Sequence, residues 1–269
     1  LYNRDMFEEH GWTIPENWEE LLALCDAIQA EGILPFYFGF KDTWTCLAPW
    51  NSMAVDLSPA DTTKQVNRGE TTFSVEYREI AEKYLDLLQY GPDDACTAFA
   101  RGESAMYPIG SYAAPQILSV NPDLNLDSFV MPANDSKDGN TLNSGVDLQF
   151  CVMAECPNKE AAYEVLDFLF ADENIQKYID AQTAIPCKEG DFVLPSILDG
   201  MTEYITSGNM KDYQDHYYPS EMAVDAQIQT FLLNKDVDAF LTKFDNDWPR
   251  YNRDIIRVVQ EYEKQHNAN

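Results

Sequence analysis

Three short stretches combine aromatic rings with acidic or hydroxyl neighbours: Asp42-Thr43-Trp44, Gly110-Ser111-Tyr112, and Tyr217-Tyr218-Pro219-Ser220-Glu221. Sugars present apolar C–H faces and a rim of hydroxyls, so a sugar site needs flat aromatic platforms next to carboxylates. A stacking contact contributes about 0.5–1.5 kcal/mol beyond area burial if sugar C–H faces behave like aromatic partners. A hydrogen bond to a charged carboxylate contributes about 1.5–3 kcal/mol. Residue type alone also allows Trp44 and Tyr112 to be packing residues, because buried aromatics are common. Trp12, Trp18 and Trp248 lie on or beside helical stripes and read as packing.

Other chemistries fit less well. Asn134-Asp135-Ser136-Lys137-Asp138-Gly139 has the ligand alternation of a calcium loop, with Gly139 at the sixth place. The twelfth place is Gly145 instead of Glu, so a polar turn is expected and no metal site is assigned. Cys25, Cys46, Cys96, Cys151, Cys156 and Cys187 form no CxxC pair, and His10, His216 and His266 are far apart, which argues against zinc. Small buried hydrophobes are the expectation for most of these cysteines. GxSxG, Walker and GxGxxG motifs are absent. A glycosidase needs only two suitably spaced carboxylates, and any acidic chain passes that test. No cofactor is expected.

The charge balance narrows the partners. With 46 Asp+Glu against 18 Lys+Arg the chain carries −28, which leaves no basic footprint for nucleic acid or an anionic membrane. Neutral and cationic ligands stay open. Hydrophobic residues make up 45% of the 269, enough for a folded core despite the acidity. No apolar run reaches membrane-spanning length.

The elements that position these residues alternate between types. Asn17-Trp18-Glu19-Glu20 reads as a capping box that opens a helix with Leu21, Cys25 and Ile28 inward, ended by Gly32. Further helices are expected over 75–90, from Asn158 to Phe170, after a cap at Asp172, and from Asp236 with a stripe ending at Trp248, which Pro249 follows. A last helix carries Ile255, Val259 and Tyr262. Short, nearly continuous apolar runs at 34–40, 105–109, 128–131 and 148–154 read as strands covered on both faces. The class is therefore α/β. Irregular stretches 41–50 and 212–221, dense in aromatics and acids, adjoin ordered elements, where α/β folds place ligand crevices.

Four segments resemble one family in the right order. LYNRDMFEEHGWTIPENWEELLALCDAIQAEG, AFARGESAMYPIGSY, GVDLQFCVMAECPNKEAAYEVLDFLFADENIQKYI and LNKDVDAFLTKFDNDW are similar to motifs of bacterial extracellular solute-binding proteins of family 1. That group includes maltose-binding protein. The resemblance implies a type II periplasmic-binding-protein fold, with two α/β lobes around a hinged cleft. Leu1 opens inside the first motif, so most of the N-terminal lobe is expected to be missing from this chain. Residues 1–143 and 190–269 would form the second lobe and 148–188 a returning segment of the first. Hinge crossings would fall near 143–147 and 186–190. Without its partners the 148–188 segment should be poorly covered, leaving Phe150, Val152, Leu166 and Leu169 incompletely buried.

By position in that family, Asp42 and Trp44 fall where an acid and an aromatic contact sugar. Tyr112 replaces a cleft Trp, which weighs against maltodextrin as the ligand. Glu221, Tyr217 and Tyr218 fall near another family aromatic, and Asn143 and Asp147 lie at the hinge. The implied protein is an extracytoplasmic binding subunit of an ABC importer, a periplasmic protein or a surface lipoprotein, working with permease subunits and doing no chemistry. A carbohydrate hydrolase and a binding protein for a polyamine or basic peptide are the alternatives.

Overall fold

The computed structural model describes residues 1–91, 96–146 and 148–266, without the side chains of 96 and 97. A four-stranded sheet starts with the first residues of the chain. It consists of β1 (Tyr2–Asn3), β2 (Leu34–Phe36), β3 (Ser104–Met106) and β4 (Leu126–Asp127), in the order β2-β3-β1-β4. β2 and β3 run parallel, Leu34 opposite Ser104, while β1 is antiparallel to both β3 and β4. A separate parallel pair joins β5 (Leu142–Asn143) to β6 (Met210–Lys211). Helices surround the larger sheet, giving the α/β class.

The helix caps follow local chemistry. Asn17 accepts from the Glu20 amide at 2.9 Å, and the Glu20 carboxylate reaches back to the Glu16 amide at 2.8 Å, opening the helix Trp18–Ala30. Asn158 and Asp236 cap Lys159–Leu169 and Val237–Tyr251 in the same way. Ala171, instead of Asp172, is the residue preceding the helix Asp172–Gln182. Pro249 does not end its helix but lies inside it, two residues before Tyr251. The chain stays helical because the stripe Phe240, Leu241, Phe244 and Trp248 is buried in the core, and tertiary packing overrides the local preference.

The main core joins Trp18, Leu21, Ile28, Phe38, Trp50, Tyr77 and Tyr84 to Ile228, Phe231, Phe244 and Trp248. Early and late parts of the chain therefore share one core. A smaller one gathers Leu1, Phe99, Tyr107, Ile117 and Leu126. Trp18 and Trp248 are buried and Trp12 packs against the main core.

Residues 148–154 form no strand. Nothing in the described chain pairs with them, and a strand without a ladder partner leaves its backbone groups unsatisfied. Phe150 is 56% exposed and Leu169 36%, and both line an open groove of about 410 Å³ with Val152 and Leu166. Cys151 and Cys156 line that same groove, so the opposite-faces geometry of a strand does not apply. Cys25 and Cys46 are buried as expected, whereas Cys151 and Cys187 are exposed.

Candidate functional site

Trp44 is presented by a short 3-10 turn, Thr43–Cys46, which β2 leads to through residues 37–42. Thr45 and Cys46 point into the protein, which turns the intervening ring outward, where it is 51% exposed. The turn is fixed from within and from behind. The Thr45 hydroxyl donates to the carbonyls of Asp42, at 2.7 Å, and Gly39. The Thr43 hydroxyl donates to Asp225, and the Gln229 amide donates to the Phe40 carbonyl at 2.6 Å. Asp225 and Gln229 are four apart on the helix Val224–Asn234, so one helical face holds the start of the turn and the residue Phe40 that leads into it. The Asp42 carboxylate is exposed and does not cap the turn.

Tyr112 sits on an equivalent 3-10 turn, Ser111–Ala113, beyond β3. Ala113 and Ala114 are buried, so Tyr112 faces out and is 44% exposed. The Ser111 hydroxyl donates to the Thr183 carbonyl at 2.8 Å. The Trp44 and Tyr112 ring centroids lie 6.1 Å apart at an interplanar angle of 48°. Residues 68 positions apart are thus brought together as a tilted, half-open aromatic pair with Asp42 beside it in the chain.

The other candidates scatter. Tyr217 is exposed at the end of the turn Gln214–Tyr217, and Glu221 is exposed, accepting from the Ser220 hydroxyl at 3.2 Å. Tyr218 points the opposite way, towards the main core. Its hydroxyl accepts from Trp50 Nε1 at 3.3 Å and donates to the Tyr77 hydroxyl at 3.0 Å, and its ring packs edge-on against Phe244 and Trp248. Burial pushes the Tyr218 and Tyr77 hydroxyls well above the usual phenol range. An apolar side chain next to an exposed one is the normal alternation of a turn that leads into a core.

Asn143 belongs to the β5–β6 pair and its amide lies 3.4 Å from the Lys211 carbonyl. Asp147 lies outside the described residues. A Cβ on Gly145 would fall 1.7 Å from Asp212 Oδ1, so a larger residue here would displace the Asp212 side chain. Asp212 also accepts from its neighbour Tyr213's amide and pairs with His216 at 2.9 Å. Lys211 donates to the Val55 carbonyl at 2.7 Å. Next to Val55, both Asp56 oxygens are buried, and burial pushes that carboxyl up to about 7 against the weaker opposing influence of Thr141 hydrogen bonding and the Lys211 charge.

Among the described residues no three His, Cys, Asp or Glu side chains converge to hold a metal ion. The 134–139 stretch closes on itself: Asn134 Nδ2 donates to the Gly139 carbonyl at 2.7 Å, and Lys137–Gly139 form a 3-10 turn. Sequence reasoning missed Thr183, Asp225 and Gln229, which hold the aromatic turns through Ser111, Thr43 and Phe40. Asp225 and Gln229 carried a signal, a polar i, i+4 pair on an otherwise apolar helix.

The model for bacterial extracellular solute-binding proteins matches residues 1–176. A multiple sugar-binding protein of Streptococcus mutans is 25% identical over 195 residues, covering 66% of this chain and 46% of that protein. The chain therefore spans about half the length of that relative. Among solved structures, the solute-binding protein RafE in complex with raffinose superposes with a TM-score of 0.77 at 24% identity, covering 96% of this chain and 70% of RafE. A chitin oligosaccharide binding protein superposes with a TM-score of 0.79 at 20% identity, over 94% of this chain and 69% of the other. At these identities the structural likeness concerns the fold.

Proposed function

The chain belongs to the bacterial extracellular solute-binding proteins, its fold is that of the type II members, and on that premise we propose that it binds a sugar through the Trp44/Tyr112 pair. The family acts outside the cytoplasm, and no helix among the described residues is long and apolar enough to cross a membrane. The observation that carries the reading is the pair itself. Two large rings are held half-open and 6.1 Å apart by turns whose backbones are bonded from behind. A ring left exposed while its turn is anchored loses little entropy on binding a flat apolar face. Asp42, two residues before Trp44, supplies the carboxylate that a sugar hydroxyl needs.

Residues 1–143 and 190–269 make one lobe in this reading, and 148–188 is the returning segment of the other, with crossings at 143–147 and 186–190. Its exposed Phe150, Val165 and Leu169 fit a surface meant to be covered. Ligand held between two lobes favours the closed arrangement by its contacts with both. Permease subunits of an ABC importer would read that closure. The protein would deliver sugar unchanged, tethered to the surface as a lipoprotein or free in the periplasm.

The ligand is an uncharged oligosaccharide. Relatives of this fold were solved with raffinose and named for chitin oligosaccharides, which makes those two the first probes. Calorimetric titration of each, with polyamines alongside, tests the reading. Saturable heat with a sugar supports it; heat with the polyamine alone would move the assignment to a cationic ligand.

A further inference from the structure

The turn that carries Tyr112 is tied to a distant part of the chain. The Ser111 hydroxyl donates to the carbonyl of Thr183 at 2.8 Å, and Thr183 ends the helix Asp172–Gln182. That helix is the anchored portion of the otherwise exposed 148–188 segment. Ile175 and Ile179 are buried, the helix packs against Ala114–Val120, and Gln176 exchanges two hydrogen bonds with the Val193 backbone at 2.8 and 2.9 Å. The helix Ala114–Val120 follows directly on the Ser111–Ala113 turn. Two contacts therefore join the helix Asp172–Gln182 to the Tyr112 turn, one apolar and one a directed hydrogen bond.

Thr183 itself is unusual. It is buried, and it adopts φ +51°, a left-handed conformation that a β-branched residue rarely takes. Its amide still donates to the Ile179 carbonyl, closing the helix. A strained residue persists where its surroundings over-determine it. Here the left-handed turn is what aims the Thr183 carbonyl at Ser111. A glycine would relax into other conformations, and an extended residue would point that carbonyl elsewhere.

We propose that Ser111 is a positioning residue, whose hydrogen bond to Thr183 couples the helix Asp172–Gln182 to the orientation of Tyr112. A shift of that helix relative to the sheet then reaches the aromatic pair through one hydroxyl, and a ligand that orders Tyr112 is felt at the end of the helix. The part concerning ligand rests on the sugar-binding reading above. The mechanical coupling does not.

The test compares Ser111→Ala, which removes the donor, with Ser111→Thr, which keeps it, in the protein that carries this chain. Three readouts are taken at matched folded fraction. They are the fluorine NMR signal of 3-fluorotyrosine at position 112, amide hydrogen exchange at Thr183 and Ala184, and raffinose affinity. Ser111→Ala should shift or broaden the Tyr112 signal and speed exchange at both amides several-fold, and Ser111→Thr should restore both. Raffinose affinity should fall about fivefold in Ser111→Ala and recover in Ser111→Thr, the size of one net hydrogen bond. An unchanged Tyr112 signal, or exchange at 183–184 that ignores the hydroxyl, overturns the coupling. Absence of raffinose binding in the unaltered protein counts against raffinose as ligand, while the first two readouts still decide the coupling.

Discussion

Replacing Asp56 by Asn should stabilise the protein above neutral pH, and the size of the gain follows from the carboxyl's surroundings. Asp56 lies near the end of the helix Leu47–Leu57, with both carboxyl oxygens buried. Burial raises its pKa from 3.8 to about 7. The folded protein therefore holds this proton where the unfolded chain has lost it. Stability from the group is complete below about pH 4 and is lost as pH rises through 7. One pKa unit corresponds to about 1.4 kcal/mol, so the full swing over some three units is roughly 4 kcal/mol. Asparagine stays neutral throughout, but its amide lacks a partner in the same place, a cost of about 1–3 kcal/mol. At pH 8 the variant should be more stable by about 1–3 kcal/mol, and near pH 4 less stable. Urea unfolding followed by tryptophan fluorescence at pH 4.5, 6, 7 and 8 gives the difference between the two proteins, so titrations common to both cancel. Parallel pH profiles, or a variant weaker at pH 8, would refute the assignment of a buried, proton-holding Asp56.

Other outcomes follow from the same geometry. Trp44→Ala should weaken sugar binding about tenfold, equivalent to about 1.4 kcal/mol, with unchanged unfolding, because the ring is half exposed; equal calorimetric affinity would contradict it. Tyr218→Phe should cost about 1–3 kcal/mol in urea unfolding, since Trp50 and Tyr77 lose their partner, and leave sugar affinity untouched.

Local chemistry was legible where it acts over a few residues. Asn17, Asn158 and Asp236 open helices because each side chain finds an amide three residues on, whatever the rest of the fold does. The nearness of Trp44 and Tyr112 needed the sheet: β2 and β3 pair in parallel, which brings the turns that follow them to the same edge. Strand 148–154 failed because apolar composition cannot supply a hydrogen-bonding partner. Tyr217 and Tyr218 carry the same ring, and only the position of the core decides that one is exposed and the other joined to Trp50 and Tyr77. Thr183 was invisible, since nothing in a Gln-Thr-Ala sequence announces a left-handed cap.

Sugar binding is the central claim, and one titration addresses it most directly. Raffinose and a chitin oligosaccharide are titrated calorimetrically into the protein that carries this chain, and the sugar is recovered afterwards by chromatography. The account predicts saturable binding of an oligosaccharide, returned intact, with the affinity reduced about tenfold by Trp44→Ala. Recovery of shortened sugar, or binding that Trp44→Ala leaves unchanged, would contradict it.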